Sequence, residues 1–402
     1  MSVITGLGVV APNGAGTPAF WEATLTGRSG IRELDRFDVP GDLPRWAGLV
    51  DGLDPAEHLP GRLMRQTDIS TQFALVAAQW ALDDAKVDPA GLTDYEMGVV
   101  TANASGGFEF THREFRKLWA QSPEHVSAYE SFAWFYAVNT GQISIRHGMR
   151  GPGFALVAEQ AGGLDALGQA RRTVRSGIPL VVSGGVDSAV DPWGWVSHLS
   201  SGRVCSGPGA YRPFDEHAAG YVPGEGGAVV IVEDPDAASA RGVPGLARIA
   251  GYANTFDPAP GTGRPPGLRR AAELALADAG VRPDEVDVVF ADAAGVPALD
   301  RAEAGVLREV FGPRGVPVTA PKALTGRLFS GGGMLDVAAA VMSLRENVVP
   351  PTFATGAVPE EYGIDLVLDT PREVDVDTAL VLARGRWGFN SAVVLRTPEN
   401  RS

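Results

Sequence analysis

Short apolar runs rich in β-branched residues alternate with alanine-rich stretches of helical period along most of the chain. Seven runs read as strands: 4–11 (ITGLGVVA), 97–102 (MGVVTA), 178–185 (IPLVVSGG), 228–233 (AVVIVE), 286–292 (VDVVFAD), 378–384 (TALVLAR) and 392–397 (AVVLRT). They stay apolar along most of their length instead of alternating, as expected of strands covered by helices on both faces. Between them, Phe73, Val76, Ala77 and Trp80 fall on one helical face. Leu268, Ala271, Ala272, Ala275 and Leu276 fall on another, with Gly280 placed to cap its end. The two helical segments repeat each other: 77–89 (AAQWALDDAKVDP) and 271–283 (AAELALADAGVRP) lie 194 positions apart and match at eight of thirteen. Each leads through a proline-containing turn into a strand. The pattern predicts a duplicated α/β chain whose halves, 1–243 and 244–402, pack as one body.

Composition narrows the function. A formal charge of −14 over 402 residues argues against sequence-independent nucleic-acid binding. No run reaches the roughly 18 apolar residues of a membrane span, and the opening MSVITGLGVV has no basic region before its apolar stretch. Cys205 is the one cysteine, so neither an internal disulfide nor a cysteine zinc cluster is available, and a reducing cytoplasm fits best. The expectation is a cytoplasmic protein without metal, membrane or nucleic acid.

The most informative segment is 151–172 (GPGFALVAEQAGGLDALGQARR). An apolar strand, Phe154 to Ala158, runs into Glu159 and Gln160, then small residues, then a helix. Enzymes present nucleophiles on such elbows, where a helix dipole lowers a thiol's pKa. Here the elbow carries an amide, which cannot attack a thioester.

At this point the sequence resembles the β-ketoacyl synthases of the thiolase fold. The resemblance rests on 163–170 (GLDALGQA), 4–14 (ITGLGVVAPNG), GPG at 151–153, 212–233 (RPFDEHAAGYVPGEGGAVVIVE), VPPT at 349–352 and the Lys322 segment, in that order along essentially the whole chain. Within that family, 131–152, 158–166 and 183–195 look like the chain length factor, the ketosynthase-like partner in bacterial type II aromatic polyketide synthases. The resemblance implies a thiolase-like α/β fold, a duplicated five-layered αβαβα architecture with mixed central sheets. It also implies a subunit of an acyltransferase heterodimer in polyketide antibiotic biosynthesis.

Carried over residue by residue, the family's nucleophilic cysteine becomes Gln160. Its two active-site histidines become Ala294 (in ADAAGVPALD, 291–300) and Arg327 (in PKALTGRLFSGGG, 321–333). The loop that supplies a backbone donor and a gating phenylalanine reads Gly385-Arg386-Trp387-Gly388, while Glu303 and Lys322 are retained. Plain counting agrees: the last of the six histidines is His217, so none lies in the C-terminal 185 residues. Condensation needs a thiolate, and decarboxylation needs donors for an enolate oxygen. The resemblance therefore implies a chain inactive alone. It has no cofactor of its own, and works with a catalytic ketosynthase subunit and a phosphopantetheinyl acyl carrier protein on a growing poly-β-ketone.

Phe108, Thr111 and Phe115 share a helical face by their i, i+3, i+7 spacing. The resemblance implies that this helix, with Trp193 and Gly194, walls the polyketide tunnel, and that Phe132 lies on a loop reaching the partner. Bulk at the matching positions goes with octaketide-sized products in this family. Two rival readings stand beside this one: a malonyl-carrier decarboxylase using Gln160, and a free-standing acyl-binding scaffold.

Overall fold

The computed structural model describes residues 2–206, 211–259 and 261–398. Ten strands carry the fold: β1 (Val3–Ala11), β2 (Met97–Ala102), β3 (Gly153–Leu156), β4 (Leu180–Asp187), β5 (Gly226–Glu233), β6 (Ala247–Phe256), β7 (Val288–Phe290), β8 (Pro317–Thr319), β9 (Thr378–Gly385) and β10 (Phe389–Arg396). The first five lie in the spatial order β1-β5-β4-β2-β3, and the second five in the order β6-β10-β9-β7-β8. Strand directions repeat as well. In each half the first-to-fifth and fourth-to-fifth pairs are antiparallel, and the second strand runs parallel to the third and fourth. The duplication predicted from two helices is therefore carried by the whole strand order.

The halves meet edge to edge where β1 pairs β6 through Val3↔Arg248 and Ile4↔Ala247. With the short strands Gly14–Ala15 and Asp365–Leu366 this gives a twelve-stranded mixed sheet among the described residues. Helices Ile69–Asp84 and Leu268–Ala279 cover the outer faces of the two halves. Helices Gly162–Arg175 and Ser330–Glu346 lie back to back in the central layer. Three apolar clusters correspond to these layers: one central, and one under each outer face. Ser330 through Leu344 are buried all round, the mark of a helix with no solvent face.

The repeat also dictates how the outer helices dock. A Cβ on Gly6 would run into the Ala81 carbonyl oxygen and Ala85, and one on Gly251 into the Ala275 carbonyl oxygen and Ala279. In the repeat register Ala81 matches Ala275 and Ala85 matches Ala279, so the same glycine-to-alanine contact is built twice. Gly280, at φ +65°, ends the second helix in the left-handed conformation expected of it.

β3 differs from the sequence expectation. Its strand ends at Leu156, and Gly153, Phe154 and Ala155 are exposed, because β3 is an edge strand with one neighbour, β2. Among the described residues no helix is long and apolar enough to cross a membrane.

Gly6→Ala and Gly251→Ala should each force a strand away from its helix. Overpacking of this kind typically costs about 1–3 kcal/mol, and urea denaturation should show similar losses for the two.

Candidate functional site

The elbow is built by close approach. After β3, Ala158 leads into Glu159 at φ +50°, a left-handed conformation rare for a non-glycine residue. One turn, Glu159–Ala161, then opens the helix Gly162–Arg175. That helix begins with two glycines because a Cβ at 162 or 163 would collide with Ser330 of the central helix. Gln160 is fully buried, its amide set against Gly332, where any Cβ would strike it. Neither amide atom has a hydrogen-bond partner among the described residues. An unpaired buried amide costs about 1–3 kcal/mol.

Ala294 and Arg327 lie around Asp292 at the end of β7. Ala294 is buried and offers only a methyl group. Arg327 donates from Nη2 to Asp292 Oδ1 (3.0 Å) and to the Arg384 carbonyl (2.6 Å). Arg384 donates from Nε to Asp292 Oδ2 (3.1 Å) and from Nη2 to Glu303 Oε2 (2.9 Å). Lys322 pairs with Asp336 at 2.6 Å, and its ammonium donates to the carbonyls of Ala291 (2.7 Å) and Asp292 (3.0 Å). Three carboxylates thus face three cations, all with side chains 13% exposed or less. Burial alone would push Asp292 up, but Arg327, Arg384 and Lys322 outweigh it and hold its carboxyl below the usual range. The retained Glu303 and Lys322 are therefore not idle. With Arg327 they belong to a buried ion-pair lattice whose other members, Asp292, Asp336 and Arg384, sequence reasoning missed.

A cavity of about 1730 Å³ opens beside this lattice, walled by Phe108, Glu159, Ala294, Arg327, Arg386 and Trp387 among others. Gln160 is not on its wall, and neither are Thr111, Phe115, Phe132, Trp193 and Gly194. These residues sit close by in a different arrangement. Trp193 stacks on Phe108 (5.5 Å, 15°) and packs against Phe115 at the same distance, so the indole joins the two rings. Thr111 is buried, whereas Phe108 and Phe115 are half-buried. Gly194 is buried where a Cβ would meet Ala189. Phe132 is half-buried against Tyr129, and Trp134, Phe135 and Tyr136 beside it are 48%, 44% and 37% exposed. Phe154 on β3 and Val157 just after it add further exposed apolar surface.

Chemically the site offers no thiolate and no imidazole at the elbow. It offers a fully paired charge lattice, a roomy cavity, and an aromatic surface around an unpaired strand edge.

Known proteins agree with this architecture. The sequence model of the β-ketoacyl synthase N-terminal domain matches residues 3–238, and that of the C-terminal domain residues 246–355. A Streptomyces coelicolor protein named as an actinorhodin polyketide β-ketoacyl synthase 2 is 66% identical over 98% of both chains. The tetracenomycin polyketide synthase ketoacyl synthase beta subunit of Streptomyces glaucescens is 59% identical over 98% of both. Among solved structures, the ishigamide ketosynthase/chain length factor aligns with a TM-score of 0.90 at 25% identity over 99% of both chains.

Removing one member of the lattice should strand its partners. Asp292→Asn leaves Arg327 and Arg384 short of a carboxylate, a loss of about 3–5 kcal/mol for a broken buried pair. Asp292 has its native pKa below the unfolded value, so its contribution is present above about pH 4 and fades only as pH falls through the native value. Burial, and after it the Asp292 charge, raise the carboxyls of Asp300, Glu303 and Asp336, so the variant relieves a cost that grows as those groups ionise. The stability gap between wild type and variant, read by urea denaturation, should therefore narrow from pH 5 to pH 8.

Proposed function

The chain belongs to the β-ketoacyl synthase family, among the ketosynthase β subunits, or chain length factors, of type II polyketide synthases, and from that premise we propose that it is the non-catalytic, length-determining subunit of a ketosynthase heterodimer. One observation carries the reading: the three positions that would hold cysteine and two histidines hold a buried amide, a methyl group and a guanidinium locked into ion pairs. None of these can form a thioester or polarise its carbonyl by proton donation.

The catalytic subunit supplies the chemistry, and this chain supplies a wall. Its two halves, 1–243 and 244–402, act as one body. The unpaired edge of β3, with Phe154, Val157, Trp134, Phe135 and Tyr136 exposed around it, is the kind of surface that a stable heterodimer buries. The ligands that pass through are the growing poly-β-ketone and the phosphopantetheinyl arm of an acyl carrier protein, with no cofactor bound by this chain. The Phe108–Trp193–Phe115 stack, backed by Thr111, closes the tunnel at octaketide length. The rival decarboxylase reading requires Gln160 to meet a malonyl thioester, and the complete burial of its amide counts against that.

The reading is tested by reconstituting the complex with its ketosynthase, carrier protein and malonyl donor. Phe115 is half-buried, so Phe115→Ala should cost less than the roughly 3–5 kcal/mol of a core phenylalanine, and Thr111→Gly adds about 0.3–0.5 kcal/mol of helix propensity. The double variant should assemble at near-normal yield and shift product masses toward longer chains. Unchanged length at normal yield would remove the stack from its role as gate. Phe154→Arg should leave the fold intact and abolish co-purification with the ketosynthase. Retention of the complex would place the interface elsewhere.

A further inference from the structure

Two backbone N–H groups from distant parts of the chain converge at the elbow. Gln160 N and Arg386 N both donate to one oxygen, Glu159 Oε2, at 2.9 and 2.8 Å. Two fixed amide donors meeting at one point beside a strand-to-helix turn form the geometry that stabilises a thioester carbonyl oxygen as it gains negative charge. The surroundings hold that geometry in place. Gly385 comes so close to the Ala158 carbonyl that no side chain fits between them, which brings the Arg386 amide to the elbow. The Ser330 hydroxyl donates to the Glu159 carbonyl at 3.1 Å. Glu159 and Arg386 both face the 1730 Å³ cavity.

Glu159 takes a strained backbone conformation, φ +50°, that costs about 1–3 kcal/mol for a non-glycine residue, and in it the carboxylate folds back over the amide that follows. We propose that Glu159 is an internal plug: its carboxylate oxygen stands where a thioester carbonyl oxygen would sit, and closes a two-donor acyl site that this chain otherwise still possesses. The block is separate from the missing cysteine and histidines. It bars acyl thioesters of the carrier arm from docking unproductively here while the catalytic partner handles them.

The test uses the assembled heterodimer with the partner's active-site thiol carbamidomethylated, and acetyl-pantetheine labelled with ¹³C at the thioester carbonyl as probe. Glu159→Gly removes the plug and suits a positive φ, so folding should be retained. Loss of a competing charged acceptor should raise probe affinity at least about tenfold over wild type, with a downfield shift of the bound carbonyl. Glu159→Gln keeps an acceptor over both donors and should stay closed. No gain in Glu159→Gly with its thermal transition unchanged, or probe binding by wild type equal to the variant, would overturn the plug. Equal gains in Gln and Gly variants would assign the effect to lost charge and overturn it too. Product length in the unblocked complex is a separate readout, so the plug and the length-control reading can fail independently.

Discussion

The structure depends on burying one helix completely between two halves of a sheet. Ser330–Glu346 has no solvent face over its first fifteen residues, so each neighbouring segment must come within backbone contact of it. Glycine is the only residue that permits this at several points. Gly162, Gly163 and Gly185 lie against Ser330, while Gly226 and Gly227 lie against Gly331. These contacts draw the end of β3, the end of β4 and the start of β5 to one spot, and they set the elbow where it is. A larger side chain at any of these positions would push apart the elements whose meeting defines the site.

The same convergence explains why charge can be kept there. The central layer is buried, and an isolated carboxylate or guanidinium in it would be costly. Here three acids and three cations satisfy one another within hydrogen-bond distance, and backbone amides share the load: Asp292 and Ala293 N–H groups donate to Glu303, and Arg384 N–H to Asp292. Arg327 serves the lattice twice, binding Asp292 and the Arg384 carbonyl. It thereby ties the β7 end to β9, whose last residue, Gly385, brings Arg386 to the elbow. A buried lattice of this kind adds little net stability over an apolar core, but it fixes one arrangement of the elements it joins. In this chain the Arg327 guanidinium is committed to that lattice, and its role there is positional.

Much of the fold was legible in the sequence because it rests on local patterns. Apolar runs located seven strands, and the repeat at 77–89 and 271–283 disclosed the duplication before any strand order was known. β6 escaped notice because its burial alternates and its end is polar. The central helix starts SGGG, which reads as loop by propensity and becomes helix only because tertiary packing excludes everything larger. Positions Gln160, Ala294 and Arg327 were nameable from local motifs through the family resemblance. The lattice was not, since Asp292 and Arg384 lie 92 residues apart. Their only local sign is a charged residue closing an otherwise apolar strand. Glu159's place over two amides was equally hidden, because one of those donors is 227 residues away.

Elbow geometry and exposed apolar surface are linked through β3. In a catalytic elbow the strand before the nucleophile has to be rigid. An edge strand paired on one side only is the least rigid element of a sheet. β3 pairs with β2 alone and exposes Phe154, yet it delivers Glu159 and Gln160 into an elbow packed too closely for a side chain at Gly332 or Gly385. A partner strand laid along that edge would complete its hydrogen bonds and cover the aromatics at 134–136 in one step. Association and elbow geometry are then two consequences of a single unpaired edge. Under the non-catalytic role proposed above, the chain has reason to keep that edge, because a contact that steadies its own elbow would also steady the elbow of a partner.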